Sequence, residues 1–218
     1  MSVDTNAIAR AVGTLPLVGN EEGLIPAFGL YLTRHFATFY NRASFALLHA
    51  AEARSEDAAA VARASLVEAG HCCAVKKFWG VILSQGGGGG VMPMVESRED
   101  WVHGIVGVIN ALGWGVWRVD ALRGGEELTV SIANSYESDG YLADYPRRAS
   151  DGVCFLATGG VAGIMNLVYH GDIAARPALD DAFYQQLFHA PGRFEAREIA
   201  CRAAGAERCE VVARRVGA

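Results

Sequence analysis

What the sequence lacks narrows its function early. No apolar run approaches the roughly 20 residues that a membrane-crossing helix needs, so no span is expected. Met1 to Arg10 has no basic stretch leading into an apolar core, which argues against a secretory leader. Lys and Arg are scattered in a chain of net charge −5, and no basic stripe interleaves with aromatics; nucleic acid is not an expected partner. The glycine run Gly86–Gly90 is not followed by Gly-Lys-Ser/Thr, so it is a flexible loop and not a phosphate cradle. Gly159-Gly160-Val161-Ala162-Gly163 lacks the spacing and βαβ setting of a dinucleotide fingerprint; small residues for tight helix packing explain it better. No Gly-x-Ser-x-Gly or His-Glu-x-x-His occurs. The five cysteines are an odd number and form no pair of Cys-x-x-Cys knuckles. Disulfides are therefore not expected, and reduced thiols or metal ligands in a cytoplasmic protein are the default.

What is present suits an α+β protein with a substantial core. The 218 residues are 51% hydrophobic and 20% charged, which leaves little room for disorder. A short helix is expected over Thr5–Val12. A longer one is expected from Pro26 in its first turn to about Ala53, with Leu30, Phe36, Phe39, Tyr40, Phe45, Leu47 and Leu48 burying it on more than one side. Ser55 suits the N-cap of a helix from Glu56 to about Leu83, with Val61 and Leu66 facing in and Gly70 marking a kink or a close approach. These two form an expected antiparallel pair. The glycine run then divides residues 1–90, a helical region, from residues 91–218.

The second part reads as a helix over Glu99–Leu112 and a hairpin of Gly115–Leu122 and Glu127–Ser135 around Arg123–Glu126. Tyr136–Asp151 is polar and reads as irregular. Val153–Tyr169 reads as a packed helix, and His170–Pro191 as an excursion with a short helix over Leu179–Phe188. Phe194–Cys201 and Cys209–Arg215 form an expected closing hairpin. The fold class is thus an N-terminal helical pair followed by an antiparallel sheet packed with helices.

Most of the chemistry lies near the C-terminus. Glu198 precedes Cys201 by three residues, and Cys201 precedes Cys209 by eight. Two thiols at the ends of a hairpin, with a carboxylate close behind, can converge on one ion, and soft thiolates favour zinc. A fourth donor must come from elsewhere, and Cys154 is the remaining thiol of this half. Three ordinary buried cysteines are the competing reading. His71-Cys72-Cys73 project in different directions from one helix and read as packing; a Cys–His nucleophile pair is the alternative. Asp100 and His103 share a helix, where an exposed, solvated pair is expected over acid–base chemistry.

The pattern Glu198-x-x-Cys201, a glycine-containing loop, and Cys209-x-Val211 resembles the end of 4-vinyl reductase domains, which include the sensory domains of aromatic-responsive transcription activators. Asn134-Ser135-Tyr136-Glu137-Ser138 resembles their Ser-Tyr-Glu-Ala stretch, and Val153–Gly163 their Cys-containing stretch leading into a small-residue helix. The resemblance spans roughly residues 95–215. It implies zinc-ligand roles for Cys154, Glu198, Cys201 and Cys209, a homodimer formed through the N-terminal helices, and a pocket for a hydrophobic or aromatic small molecule between sheet and helices. The residues of this chain that would line that pocket are Trp114, Trp117, Ile132, Tyr136, Phe155 and Met165. The sequence departs from the family in three places. Cys154 and Glu198 stand 44 residues apart, His170–Pro191 resembles an insertion, and Ile132 takes the place of a Trp in the sensory domains. No ATPase or DNA-binding segment follows, so a complete activator is not expected. The leading expectation is a ligand-binding or sensory module beside a structural zinc. The alternative is an enzyme or accessory factor acting on a tetrapyrrole-type or other planar substrate, with His71, His103 or His170 as candidate groups. A protein-interaction adaptor is a third reading.

Overall fold

The computed structural model describes residues 3–15, 17–27, 30–75, 95–175, 177–178 and 180–217. The glycine run and Phe78, Trp79, Val81, Ile82 and Leu83 of the third expected helix lie outside these residues. Among those described, seven α-helices accompany two antiparallel sheets, so the fold is α+β.

Helix α1 (Thr5–Gly13) starts where the Asp4 carboxylate takes the amides of Asn6 and Ala7. Pro26 does not start a helix. It sits in β1 (Ile25–Ala27), paired with Tyr31 of β2 (Leu30–Leu32) in a small hairpin. A two-stranded ribbon is all edge, and there the missing proline N–H costs no ladder bond. Helix α2 (Ala37–Glu52) begins only afterwards and buries one stripe, Asn41, Phe45 and Leu48. Contrary to expectation, Phe36, Phe39, Tyr40 and Leu47 are exposed. Helix α3 (Glu56–Cys73) is capped by the Ser55 hydroxyl. Its buried stripe is Ala59, Ala62, Leu66 and Gly70, while Val61, expected inside, is exposed, since it falls off that i, i+3, i+4 spacing.

Helix α4 (Arg98–Ala111) opens with a reciprocal Ser97–Asp100 capping box. Strands β3 (Val116–Arg123) and β4 (Glu127–Ala133) form the expected hairpin. The next segment, expected to be irregular, contains helix α5 (Tyr136–Asp144). Its buried side chains are Glu137 and Ser138, so it has no apolar periodicity to read. Helix α6 (Phe155–Met165) continues into a wide π-helical turn, Asn166–His170. Helix α7 (Asp181–His189) follows, and β5 (Phe194–Ala200) and β6 (Cys209–Arg215) close the chain.

The large sheet runs β3-β4-β6-β5. Its inward residues include Trp117, Leu128, Val130, Ile132, Val211 and Ala213. Helix α6 lies between this sheet and α3, and α4 lies between β3 and α1. Small residues permit the α3–α6 approach. A Cβ on Gly70 would sit 2.1 Å from the Leu156 carbonyl oxygen, and one on Gly159 1.8 Å from that of Val67.

Candidate metal centre

Local backbone features bring four donors together at one end of the sheet. In a regular strand, residues three apart face opposite sides. Between Glu198 and Ala200 the β5–β6 register shifts by one, and the extra residue, Ile199, is exposed. That bulge changes the parity, so Glu198 and Cys201 turn to the same side. The loop after Cys201 folds back tightly: its carbonyl accepts the amides of Ala204 and Ala206, and Gly205 adopts φ +112. Cys209 is thereby returned beside Cys201. The fourth donor, Cys154, immediately precedes α6.

The ligand atoms of Cys154, Glu198, Cys201 and Cys209 all lie within 4.8 Å of one another. The three cysteines are buried and Glu198 is half-buried. None of the five cysteines is joined in a disulfide. This cluster could hold a metal ion. Two observations fit that group. The donor set, three sulfurs and one oxygen, suits a borderline-soft cation. Glu198 Oε2 accepts the Cys154 amide at 2.9 Å, while its Oε1 is buried without a hydrogen-bond partner. Gly152 makes room for this carboxylate, since a Cβ there would lie 2.3 Å from Oε2.

The electrostatics are those of crowded acidic groups. Cys154 donates to the Cys209 sulfur at 3.4 Å. Hydrogen bonds with Cys154 and Cys201 hold the Cys209 thiol well below the usual thiol range, while the bonds of Cys154 with Cys201 and Cys209 push Cys154 well above it. Burial pushes Glu198 up to about 7, and the charge of Cys201 adds to this. A bound cation would reverse these penalties, because metal binding and thiol deprotonation are linked.

The expected ligand-lining residues are only partly gathered. Trp117 and Ile132 are directly opposite each other on β3 and β4, and both are buried. Trp114 meets Tyr136 edge-on at 5.7 Å. Phe155 begins α6, but Met165 ends it, about 15 Å further along the axis. The Trp117 indole N–H is buried and has no hydrogen-bond partner. Asn110 grips the Trp117 backbone from both sides, donating to its carbonyl at 3.1 Å and accepting its amide at 2.8 Å.

The other candidates have structural surroundings. His71 is buried, with Nε2 2.9 Å from the Asn166 amide nitrogen. Tyr184 and Phe188 of α7 flank its ring. Asp100 and His103 are not an exposed pair: Asp100 is buried and takes the amides of Val3, Glu96 and Ser97, and burial lowers half-buried His103. The Ser97-x-x-Asp100 spacing is itself a capping box, a local signal that marks this carboxylate as a helix cap and not a solvated partner of His103. His170 is half-buried in the π-helical turn.

No family model matches the sequence, and no curated protein matches it. Among solved structures, the chain is similar to the phenol-responsive sensory domain of the transcription activator PoxR, determined with phenol. The TM-score is 0.64 at 13% identity, over 99% of this chain and 92% of that one. At that identity the likeness shows the fold.

Proposed function

We propose that this protein is a small-molecule-binding sensory module of the 4-vinyl reductase type, whose ligand site is built beside a structural zinc held by Cys154, Glu198, Cys201 and Cys209. The observation that carries this reading is the convergence of those four donors within 4.8 Å, from three separated parts of the chain, on the fold of a sensory domain. Four protein donors complete a tetrahedral shell without an open position, which favours a structural role over hydrolysis. When bound, zinc would supply charge neutralisation and a fixed geometry for the thiolates. Residues of this chain do the rest. The Cys154 amide orients Glu198, and the bulge at Ile199 aims it.

In this reading Trp114, Trp117, Ile132, Tyr136 and Phe155 surround a hydrophobic or aromatic ligand, and Met165 closes the far end of α6. The unpartnered Trp117 N–H supports a ligand that carries a hydrogen-bond acceptor. Residues 91–218 form the binding part. Residues 1–90 serve homodimerisation, which the exposed aromatics Phe36, Phe39 and Tyr40 support. Thiols outside any disulfide suit the cytoplasm, and among the described residues no helix is long and apolar enough to cross a membrane.

Elemental analysis of the purified protein, with and without Cys201→Ser, tests the centre. About one zinc per chain is expected in the wild type and loss in the variant, together with a lower melting temperature. Wild-type protein without zinc would overturn the reading. Sedimentation of the same samples reads the dimer. Thermal-shift titration with phenols and larger planar aromatics reads the ligand, and turnover of any of them would favour the enzymatic alternative.

A further inference from the structure

Five consecutive residues at the β4–α5 junction surround the thiols with more buried polar groups than a turn requires. Asn134 takes a left-handed conformation, φ 55, and so turns the chain off the strand. Behind it Ser135, Glu137 and Ser138 are all buried, at 1%, 3% and 0% exposure. Each one touches the metal centre or its support. The Ser135 hydroxyl lies 3.4 Å from the Cys154 sulfur. The Ser138 hydroxyl donates to the Ser135 carbonyl at 3.4 Å and so braces that residue. Glu137 reaches the start of α6: Oε1 takes the Leu156 amide and Oε2 the Ala157 amide, each at 2.9 Å. Helix α6 has no cap bond from its own N-cap residue, Cys154. Glu137 therefore supplies that cap from 19 and 20 residues away, and Cys154 becomes free to aim its sulfur at the ion. Just beyond, Asp139 pairs with Arg202 at 2.6 Å, next to Cys201. The whole segment is held from outside by Asn41, whose side-chain amide donates to the Tyr136 carbonyl at 2.9 Å.

We propose that Ser135, Glu137 and Ser138 are the positioning residues of the metal centre, with Glu137 fixing Cys154 by capping α6, Ser135 orienting the Cys154 thiolate and Ser138 bracing Ser135. This inference rests on the metal-site reading above. It adds a direct link from the site to the ligand region, because Tyr136 stands between these residues and its ring meets Trp114. Supporting hydrogen bonds of this kind set how tightly first ligands hold a metal, and their loss commonly weakens binding about 10- to 100-fold.

Competition of the full chain against a chelator, with zinc and with cobalt as a coloured substitute, tests the proposal. Glu137→Gln keeps shape and one carbonyl acceptor, but its NH2 group cannot accept the second amide, as the second carboxyl oxygen does. It is expected to weaken zinc binding by about 10- to 100-fold. Ser135→Ala is expected to move the cobalt–thiolate absorption band with little change in stoichiometry. Asp100→Asn weakens a comparable buried carboxylate cap on α4 in the same way, away from the cluster, and reports what loss of stability alone does. Zinc affinity for Glu137→Gln within twofold of wild type, or weakened no more than in Asp100→Asn, overturns the proposal. If Glu137→Gln does not fold, an unshifted cobalt band in Ser135→Ala overturns it instead. Wild-type protein that takes up neither metal removes the metal-site reading itself, which is a different result from tight binding that ignores these substitutions.

Discussion

His71 is kept neutral by the way its neighbours are oriented. The Asn166 side chain is fixed by the backbone of Phe194, donating to its carbonyl and accepting its amide. Its NH2 group must therefore face His71, so Nε2 accepts and the ring proton sits on Nδ1, which has no partner. A second proton would charge a ring that is almost fully enclosed. Burial lowers the pKa from 6.5 to about 4, and the positive charge of Arg193 adds to the shift. The folded state thus disfavours the protonated ring. The stability that depends on neutral His71 is complete above the unfolded value and is lost as the pH falls from about 6.5 towards 4. At about pH 5 the loss amounts to roughly 2 kcal/mol. Urea unfolding at about pH 7.5 and pH 5 should show the wild type losing about 2 kcal/mol more than His71→Gln, with acid effects on the thiols common to both. Equal losses would mean that the ring titrates without consequence for folding.

At the scale of elements, the contact between α3 and α6 depends on which glycine faces which neighbour. Gly159 faces the backbone of α3, where an added Cβ would lie 1.8 Å from the Val67 carbonyl oxygen and 2.7 Å from the His71 nitrogen. Backbone cannot rotate away, so Gly159→Ala is expected to cost about 3 kcal/mol. Gly160, one residue on, faces the sheet, and its Cβ would meet only the Trp117 ring edge at 3.5 Å. Gly160→Ala is expected to be neutral or to stabilise by up to about 1 kcal/mol through helix propensity. Denaturant midpoints of the two variants check this, and similar midpoints would contradict the packing. The small-residue run was legible in the sequence as tight packing; which glycine mattered was not, since that depends on a helix far along the chain. The closing hairpin was legible as two strand-like runs, Phe194–Cys201 and Cys209–Arg215. Its bulge was not, and without the bulge a three-residue spacing would send Glu198 and Cys201 to opposite faces. Helix α5 was hidden for a different reason. Its inward side chains are polar and are satisfied by amides 19 and 20 residues away, so neither periodicity nor local capping announces it.

On the scale of the whole molecule, the proposed centre fastens one end of a contact that α6 and the closing hairpin already make along their lengths. It joins the loop of the β5–β6 hairpin to the start of α6, 44 residues earlier. The opposite side of the molecule is held by apolar contact: α1 packs on α4, with Ile8 pressed so closely on Gly107 that a Cβ there would lie 2.9 Å from its side chain. The two regions should respond differently to metal removal. Without a cation, three sulfurs and a carboxylate within 4.8 Å are left to share protons, and the loop from Cys201 to Cys209 loses its closing interaction. The apolar α1–α4 contact loses nothing. Hydrogen exchange after chelation should therefore quicken at the amides of Arg202, Leu156 and Ala157, while Val102 to Ile109 keep their protection. A uniform rise across both regions would show that the centre holds the entire fold, and no change at the hairpin would show that the four donors are held together by packing alone.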